Sequence, residues 1–178
     1  MNDEDLVKNY VELWKQTIAV QQHFNDIAWR IRQLALTALT FALGAAAVAA
    51  KDRTTIQLGG LEIQLSTTIL IFGIIVWGSF YFVDQVWYHK LLIGAVKHGE
   101  TLERALALYL PESGLTQEIS KASPSHIKIG LGRFTPTKRI TLHSTNKLRI
   151  FYAAGGIAQL VVAIILQFSS KTPHVYPL

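Results

Sequence analysis

The stretch QLALTALTFALGAAAVAA, residues 33–50, contains no Asp, Glu, Lys, Arg or His. Two further stretches share this property, STTILIFGIIVWGSFYFV at 66–83 and IFYAAGGIAQLVVAIILQF at 150–168. Each has 18 or 19 residues, which as an α-helix rising about 1.5 Å per residue covers the hydrocarbon core of a bilayer. Helices of a soluble domain keep a polar face for water instead. The sequence therefore predicts an all-α integral membrane protein with three transmembrane helices.

The distribution of positive charge predicts the orientation of these helices. Of the 17 Lys and Arg residues, four precede the first apolar stretch and ten lie between the second and the third. Cytoplasmic loops carry the excess of Lys and Arg in membrane proteins. We therefore expect the N-terminus and residues 84–149 in the cytoplasm, and the first loop and the C-terminal tail outside.

Length and composition favour a single membrane domain spanning residues 1–178. Half of the residues are apolar, and 178 residues leave little material for a second independent core. Within this domain we expect a long cytoplasmic amphipathic helix at 1–32 that runs into the first span, and a cytoplasmic helical region at 84–149 that begins with a long helix after the second span. The chain has no cysteine, so neither disulfides nor thiolate metal sites can stabilise it.

Apolar residues recur at alternating intervals of four and three in the N-terminal helix, which is typical of a heptad repeat. We call this row the seam; its members are Leu6, Tyr10, Leu13, Thr17, Val20, Phe24, Ile27 and Ile31, and Leu34 continues it. Two interpretations stay open. The seam packs either against cytoplasmic helices of its own chain or against copies of itself in a homo-oligomer.

The segments between the apolar stretches carry weaker signals. Alternating apolar and polar residues around Gly59-Gly60 indicate a β-hairpin in the outer loop. Beyond the second stretch, the helix is expected to continue to Leu110-Pro111, because proline disfavours helix in the residue before it. The Ser, Gly and Pro breaks of residues 111–136 favour short helices and loops.

Gln159 and Gln167 are the polar members of the third apolar stretch. A glutamine within a membrane span usually bonds to a neighbouring helix, but it can also line a water-filled path. Both roles are considered for these two residues.

No motif in the chain predicts catalysis. The six histidines include no His-x-x-x-His pair and no Glu-x-x-His motif, so a metal site is not expected. No Gly-x-Ser-x-Gly turn and no phosphate-binding loop occur either. The basic residues before the third stretch suit anionic lipid better than nucleic acid, because they adjoin a span on the cytoplasmic side. We expect no enzyme activity, no cofactor and no specific nucleic-acid partner.

Several segments resemble the RipA family of octameric bacterial membrane proteins. They are WKQTIAVQQHFNDI at 14–27, RIR at 30–32, LALT at 34–37, YHKLL at 88–92 and KHGE at 97–100. The resemblance implies a homo-octamer in the bacterial inner membrane and kinship with a CRISPR-associated octameric pore protein that supports an RNA-targeting effector against phage. That relative has been linked to a divergent HEPN ribonuclease fold. Here only three residues separate Arg139 from His143, so the ribonuclease signature is not matched.

These observations favour a homo-oligomeric inner-membrane protein that forms a pore or ring-shaped scaffold, in phage defence or stress response. The alternative is a membrane anchor or sensor that recruits a cytoplasmic protein partner through its basic loop. A membrane-embedded enzyme ranks third.

The predicted topology can be tested by cysteine labelling, because the chain has no native cysteine. In intact cells, a single cysteine replacing Ser170 should react with a membrane-impermeant thiol reagent, and one replacing Ser113 should not. The reverse pattern would contradict the three-span topology.

Overall fold

The computed structural model describes residues 3–129 and 138–169. Its helices are α1 (Asp3–Lys51), α2 (Leu65–Tyr81), α3 (His89–Leu106), α4 (Leu115–Ala122) and α5 (Ser144–Ser169). A π-helical turn, Phe82–Tyr88, lies between α2 and α3. The strands are β1 (Thr55–Leu58), β2 (Leu61–Gln64), β3 (Ser125–Ile129) and β4 (Lys138–Leu142). The chain divides into two compact units, one of residues 1–29 and 85–149, the other of residues 30–84 and 150–178. We call them the amphipathic unit and the apolar unit.

Three helices are long and apolar enough to cross a membrane, as the sequence predicts: α1, the helical segment Leu65–Leu106, and α5. Only 17 to 22% of the residues in their most apolar windows are buried. Large side chains such as Phe41 (77% exposed) and Phe72 (66% exposed) point away from the protein interior. The surface they form is apolar, which suits a lipid surrounding.

The apolar unit is built in layers that pair small residues with large ones. At one level the buried residues Ala35, Trp77 and Tyr152 form a cluster. At another, Ala46, Leu70 and Ala163 do the same. Each cluster takes one residue from each of α1, α2 and α5, so an alanine of α1 faces a larger neighbour. Close packing of this kind drives helix association where water exclusion is not available.

Glycine is required where α5 passes the indole ring of Trp77. A Cβ at Gly155 would overlap the Trp77 ring, whereas a Cβ at Gly156 would lie 3.8 Å from Trp77 Cδ1, an ordinary contact. The two neighbouring glycines therefore differ in how much space surrounds them.

In the amphipathic unit, α1 packs against α3 through small and polar groups. The Gln21 amide donates a hydrogen bond to the Ala95 carbonyl (3.1 Å). A Cβ at Gly99 would collide with this amide and approach Thr116 Oγ1 to 3.1 Å. Leu102 and Leu106 of α3 are buried. This face of α1 also contains the buried residue Ala28, which lies outside the seam.

Two antiparallel hairpins accompany the helices. Strands β1 and β2 pair with Leu58 opposite Leu61, and Gly59 (φ 55°) and Gly60 (φ 83°) form the connection. Positive φ at both central residues is what a type I′ turn requires, and glycine adopts it without strain. The position of this hairpin outside a membrane stays a prediction.

Within residues 111–136, α4 confirms the expected short helix, strand β3 corrects the expectation for Ser125–Ile129, and residues 130–136 lie outside the described part of the chain. Strands β3 and β4 pair antiparallel, with Ile127 opposite Ile140. The alternation of Ile127 and Ile129, and of Ile140 and Leu142, has the period of two that predicts strands. The all-α description is therefore too narrow for this chain, although helices dominate.

The end of α3 differs from the prediction by four residues. The helix ends at Leu106 rather than at Leu110, and the Leu106 carbonyl then accepts hydrogen bonds from the amides of Tyr109 (2.9 Å) and Leu110 (2.7 Å). Pro111 constrains the residue before it, so the chain turns ahead of the proline.

Substitution of the two adjacent glycines should separate packing from helix propensity. Gly155→Ala places a methyl group in the space that the Trp77 ring occupies, and it should destabilise the protein by about 1 to 3 kcal/mol. Gly156→Ala has room and should be neutral or stabilise the helix by up to about 1 kcal/mol. Thermal unfolding in detergent measures both, and equal melting temperatures for the two variants would contradict the packing observed at Trp77.

Candidate functional site

A buried ion pair joins α1 to the start of the π-helical turn in the apolar unit. Arg32 Nε donates to Asp84 Oδ2 at 2.8 Å, and Arg32 Nη2 donates to Asp84 Oδ1 at 3.1 Å. Asp84 has no exposed surface, and the side chain of Arg32 is 27% exposed. Two parallel N–H···O bonds fix the geometry of a carboxylate as well as its charge. The pair therefore holds the two helices in one register.

Tyr152 extends this pair to the third helix. Its hydroxyl donates to Asp84 Oδ2 at 3.1 Å, and its backbone carbonyl accepts a hydrogen bond from Trp77 Nε1 at 2.7 Å. The ring of Tyr152 contacts those of Trp77 and Tyr81, with centroids 5.2 Å and 5.4 Å apart. We call Arg32, Asp84 and Tyr152 the polar centre.

The polar centre lies at the margin of the predicted spans. Arg32 directly precedes the first apolar stretch and Asp84 directly follows the second. An ionised carboxylate in this setting needs a charged, hydrogen-bonded partner, and removing one partner of a buried pair costs about 3 to 5 kcal/mol. Paired ionisable residues at membrane depth mark functional sites by default. Asp84 also lies in the π-helical turn, and π-helical turns are frequent at functional sites.

Sequence reasoning missed the polar centre, although a signal was present. Asp84 is the only acidic residue between Glu62 and Glu100, and it adjoins a span of 18 apolar residues. A lone acid in that position requires a cation, and Arg32 directly precedes the first span at its predicted cytoplasmic end. Tyr152 carried no such signal, because tyrosine at a span end is common in aromatic belts.

Gln159 lies in the interior of the apolar unit, with no exposed surface. Its Oε1 atom is 2.5 Å from the position that a Cβ of Gly73 would occupy, and that same position is 2.9 Å from the Ala42 Cβ. Its Nε2 atom is 3.5 Å from the Gly155 carbonyl oxygen. Gln159 thus packs against α1 and α2, its hydrogen bond stays within α5, and the choice between an interhelix bond and a water path stays a prediction.

Gln167 connects α5 to the first hairpin. Its Oε1 atom accepts a hydrogen bond from the Gln64 amide at 3.1 Å, and its Nε2 atom donates to the Glu62 carbonyl at 3.2 Å. Both backbone partners belong to β2. The Gln167 side chain thus stabilises β2, because an isolated two-stranded sheet is only marginally stable.

The seam is covered unevenly by its own chain. Thr17 is buried, and Leu6, Tyr10, Phe24, Ile27 and Ile31 are partly buried. Leu13 (49% exposed), Val20 (45%) and Leu34 (59%) keep much of their surface open. Leu13 and Val20 line a shallow groove together with Gln16, Thr17, Ala95 and His98. Part of the seam therefore packs within the chain, and part is left uncovered.

A second polar cluster fixes α4 onto α3 in the amphipathic unit. The fully buried Glu103 accepts hydrogen bonds from the amides of Thr116 (2.7 Å) and Gln117 (3.0 Å) and from Trp14 Nε1 (3.1 Å). Burial raises the pKa of this carboxyl, but the hydrogen bonds from Thr116, Trp14 and Gln117 outweigh it. The pKa of Glu103 therefore lies below its ordinary value. Glu103 lies 20 residues beyond the predicted second span.

Comparison with protein-family models, curated proteins and solved structures found no match for this chain. Among residues 3–129 and 138–169, no group of three or more His, Cys, Asp or Glu side chains is placed to hold a metal ion. The candidate site is thus defined by the chain's own contacts.

The lowered pKa of Glu103 predicts an acid-sensitive amphipathic unit. Ionised Glu103 stabilises the fold above the unfolded-state pKa of about 4.3, and this contribution is lost as pH falls through the lower folded-state pKa. Glu103→Gln should remove it, at a cost of about 1 to 3 kcal/mol at neutral pH. Hydrogen exchange at the Thr116 and Gln117 amides measures the effect. Exchange at these two amides that is as slow in the variant as in the wild type, at neutral and at acidic pH, would refute this role of Glu103.

Proposed function

We propose that the protein is a homo-oligomeric inner-membrane protein whose subunits form a ring that acts as a pore or ring-shaped scaffold. Its three long apolar helices support a membrane location. The resemblance to the RipA family adds an octamer as the expected subunit number and phage defence or stress response as the expected setting. The N-terminus is cytoplasmic in this proposal.

The uncovered part of the seam carries the proposal. Leu13 and Val20 are seven residues apart on α1, and each is almost half exposed. They precede the first predicted span by 20 and 13 residues, so in the predicted topology the hydrocarbon of the membrane does not cover them. Burying such a side chain contributes about 1.5 to 3 kcal/mol. A second copy of the chain, tethered in the same membrane, is the partner always at hand.

In the described part of the subunit, neither glutamine of the third apolar stretch lines a water-filled path. Gln159 is fully buried and Gln167 is bound to β2, so a pore in this proposal lies between subunits rather than within one. Rings built from head-to-tail contacts enclose an axial space when the rotation closes.

The proposal predicts that charge on the seam dissociates the assembly and abolishes ion flux. Leu13→Asp with Val20→Asp places two carboxylates in the contact, while the three apolar helices are unchanged. The double variant should insert in the membrane, run as a smaller species in size-exclusion chromatography, and lose conductance in proteoliposomes.

The matched control is Gln22→Asp with Asn25→Asp, which adds the same charge at two exposed positions of α1 outside the seam. It should keep the size and the conductance of the wild type. A wild-type protein that assembles but conducts no ions would favour the anchor or sensor that recruits a cytoplasmic partner. A monomeric wild type would refute the ring.

A further inference from the structure

A cavity of about 360 Å³ lies beside the first hairpin, within the apolar unit. Pockets that bind small ligands in proteins have volumes of about 300 to 1,000 Å³. The turn after α1, the hairpin and the end of α5 all contribute to its walls. We call it the hairpin cavity; its polar lining residues are Arg53, Thr55, Glu62, Gln64 and Gln167.

The face of the hairpin that lines this cavity is polar. Thr55 pairs with Gln64, and Gln57 pairs with Glu62. Side chains of directly opposed residues lie on the same face of a sheet, and so do those of residues two apart in one strand. The four polar side chains therefore share one face. Such a surface suits a polar ligand better than the hydrocarbon chains of lipid.

Gln64 contributes a hydrogen-bond donor that the protein leaves unused. The residue is only 4% exposed. Its Oε1 atom accepts a hydrogen bond from Ser66 Oγ at 3.2 Å, whereas its Nε2 atom is buried and has no hydrogen-bond partner among the described residues. A buried N–H group without an acceptor is costly. An oxygen atom of a ligand bound at this wall of the cavity would supply the acceptor.

The hairpin cavity also has one charge of each sign in its lining. Arg53 and Glu62 are both exposed, and no salt bridge among the described residues involves either of them. The neighbouring charged residues Lys51 and Asp52 do not line the cavity. Opposite charges that line one space without pairing match a ligand that itself carries both signs.

Ends of all three apolar stretches meet at this cavity. Arg53 lies three residues after the first stretch, Gln64 lies two residues before the second, and Gln167 lies one residue before the end of the third. The hydrogen bonds of Gln167 with β2 show that these ends lie on the same side of the apolar unit. In a bilayer, the polar head groups flank the hydrocarbon core and therefore lie at the ends of the spans.

We propose that the hairpin cavity binds a zwitterionic phospholipid head group that carries a phosphate and a primary amine. Arg53 and the Gln64 amide donate hydrogen bonds to the phosphate oxygens, and the Glu62 carboxylate accepts them from the ammonium group. A free phosphate ester with an amine has the same chemistry, and the test below separates the two sources. This binding does not depend on the proposed ring.

Lipid titration in detergent, followed by native mass spectrometry, tests the proposal with two probes. Phosphatidylethanolamine has the phosphate and the amine, whereas phosphatidylglycerol has the phosphate alone. The wild type should bind phosphatidylethanolamine roughly tenfold more tightly than phosphatidylglycerol, because only the former pairs with Glu62. Glu62→Gln keeps the size of the side chain and should remove this preference. The preference is a ratio measured on one protein, so a loss of stability alone would not change it.

Arg53→Gln should weaken the binding of both lipids roughly tenfold, because a charge-assisted hydrogen bond to the phosphate is lost. Arg53 has a φ of 49°, and glutamine keeps a non-glycine side chain on this left-handed backbone, so the conformational cost is unchanged. The matched control is Lys51→Gln, which removes the same charge two residues earlier and outside the cavity. It should bind both lipids like the wild type.

Soluble phosphoethanolamine distinguishes the lipid from a free ligand. It should displace phosphatidylethanolamine only at a concentration roughly a hundredfold higher, because it lacks the acyl chains that add apolar contact. Displacement at equal concentration would overturn the lipid as the source of the head group. Equal binding of the two lipids by the wild type would overturn the role of Glu62. Equal binding by Arg53→Gln and the wild type would overturn the site.

Discussion

The carboxylate of Asp84 is the constraint on which the apolar unit depends. It is fully buried, and its partners come from two other helices: Arg32 from α1 and Tyr152 from α5. A charge in such a place is tolerated only when its hydrogen bonds are made. The helices therefore have one arrangement in which the charge is satisfied, and sliding any of them would break it. Apolar surfaces alone do not impose a register in lipid, because the lipid chains are as apolar as the side chains.

Away from Asp84, differences in residue size fix how the helices of the apolar unit pack. Alanine at 35 and 46 and glycine at 73 and 155 leave room for Trp77, Leu70 and Gln159. Contacts inside the subunit thus explain Ala35, Ala46 and Gly155, whereas Gly44, Ala47, Ala153 and Ala154 are exposed. Small residues alone do not identify contacts between subunits, and the proposed ring rests instead on the exposed residues Leu13 and Val20 of α1.

Hydropathy predicted the three long apolar helices, because lipid demands an uninterrupted apolar run and leaves a simple signal in the sequence. The β1–β2 hairpin lies where the Gly59-Gly60 pair indicated one. The sequence does not predict the polar centre, since its members are distant in sequence and meet only after the helices pack. Strands β3 and β4 are not predicted either. The Gly and Pro breaks between them favour loops, and this signal outweighed the period-two pattern of Ile127, Ile129, Ile140 and Leu142. On α1, heptad spacing predicts the seam, yet Thr17 is the seam residue that the chain buries, and the other two buried residues there, Gln21 and Ala28, lie outside the seam.

That last difference bears on assembly. A helix that packs within its own chain through Gln21 and Ala28 comes close to its neighbour and needs no large side chains at the contact. Leu13 and Val20 then keep almost half of their surface exposed, although they are apolar and lie in a segment predicted to be in water. Exposed apolar residues at heptad spacing, which line a shallow groove together with Ala95 and His98 of α3, have the pattern of a helix that packs on a second protein surface. The face of α1 that packs inside the chain is thus distinguished from the exposed seam residues by residue size.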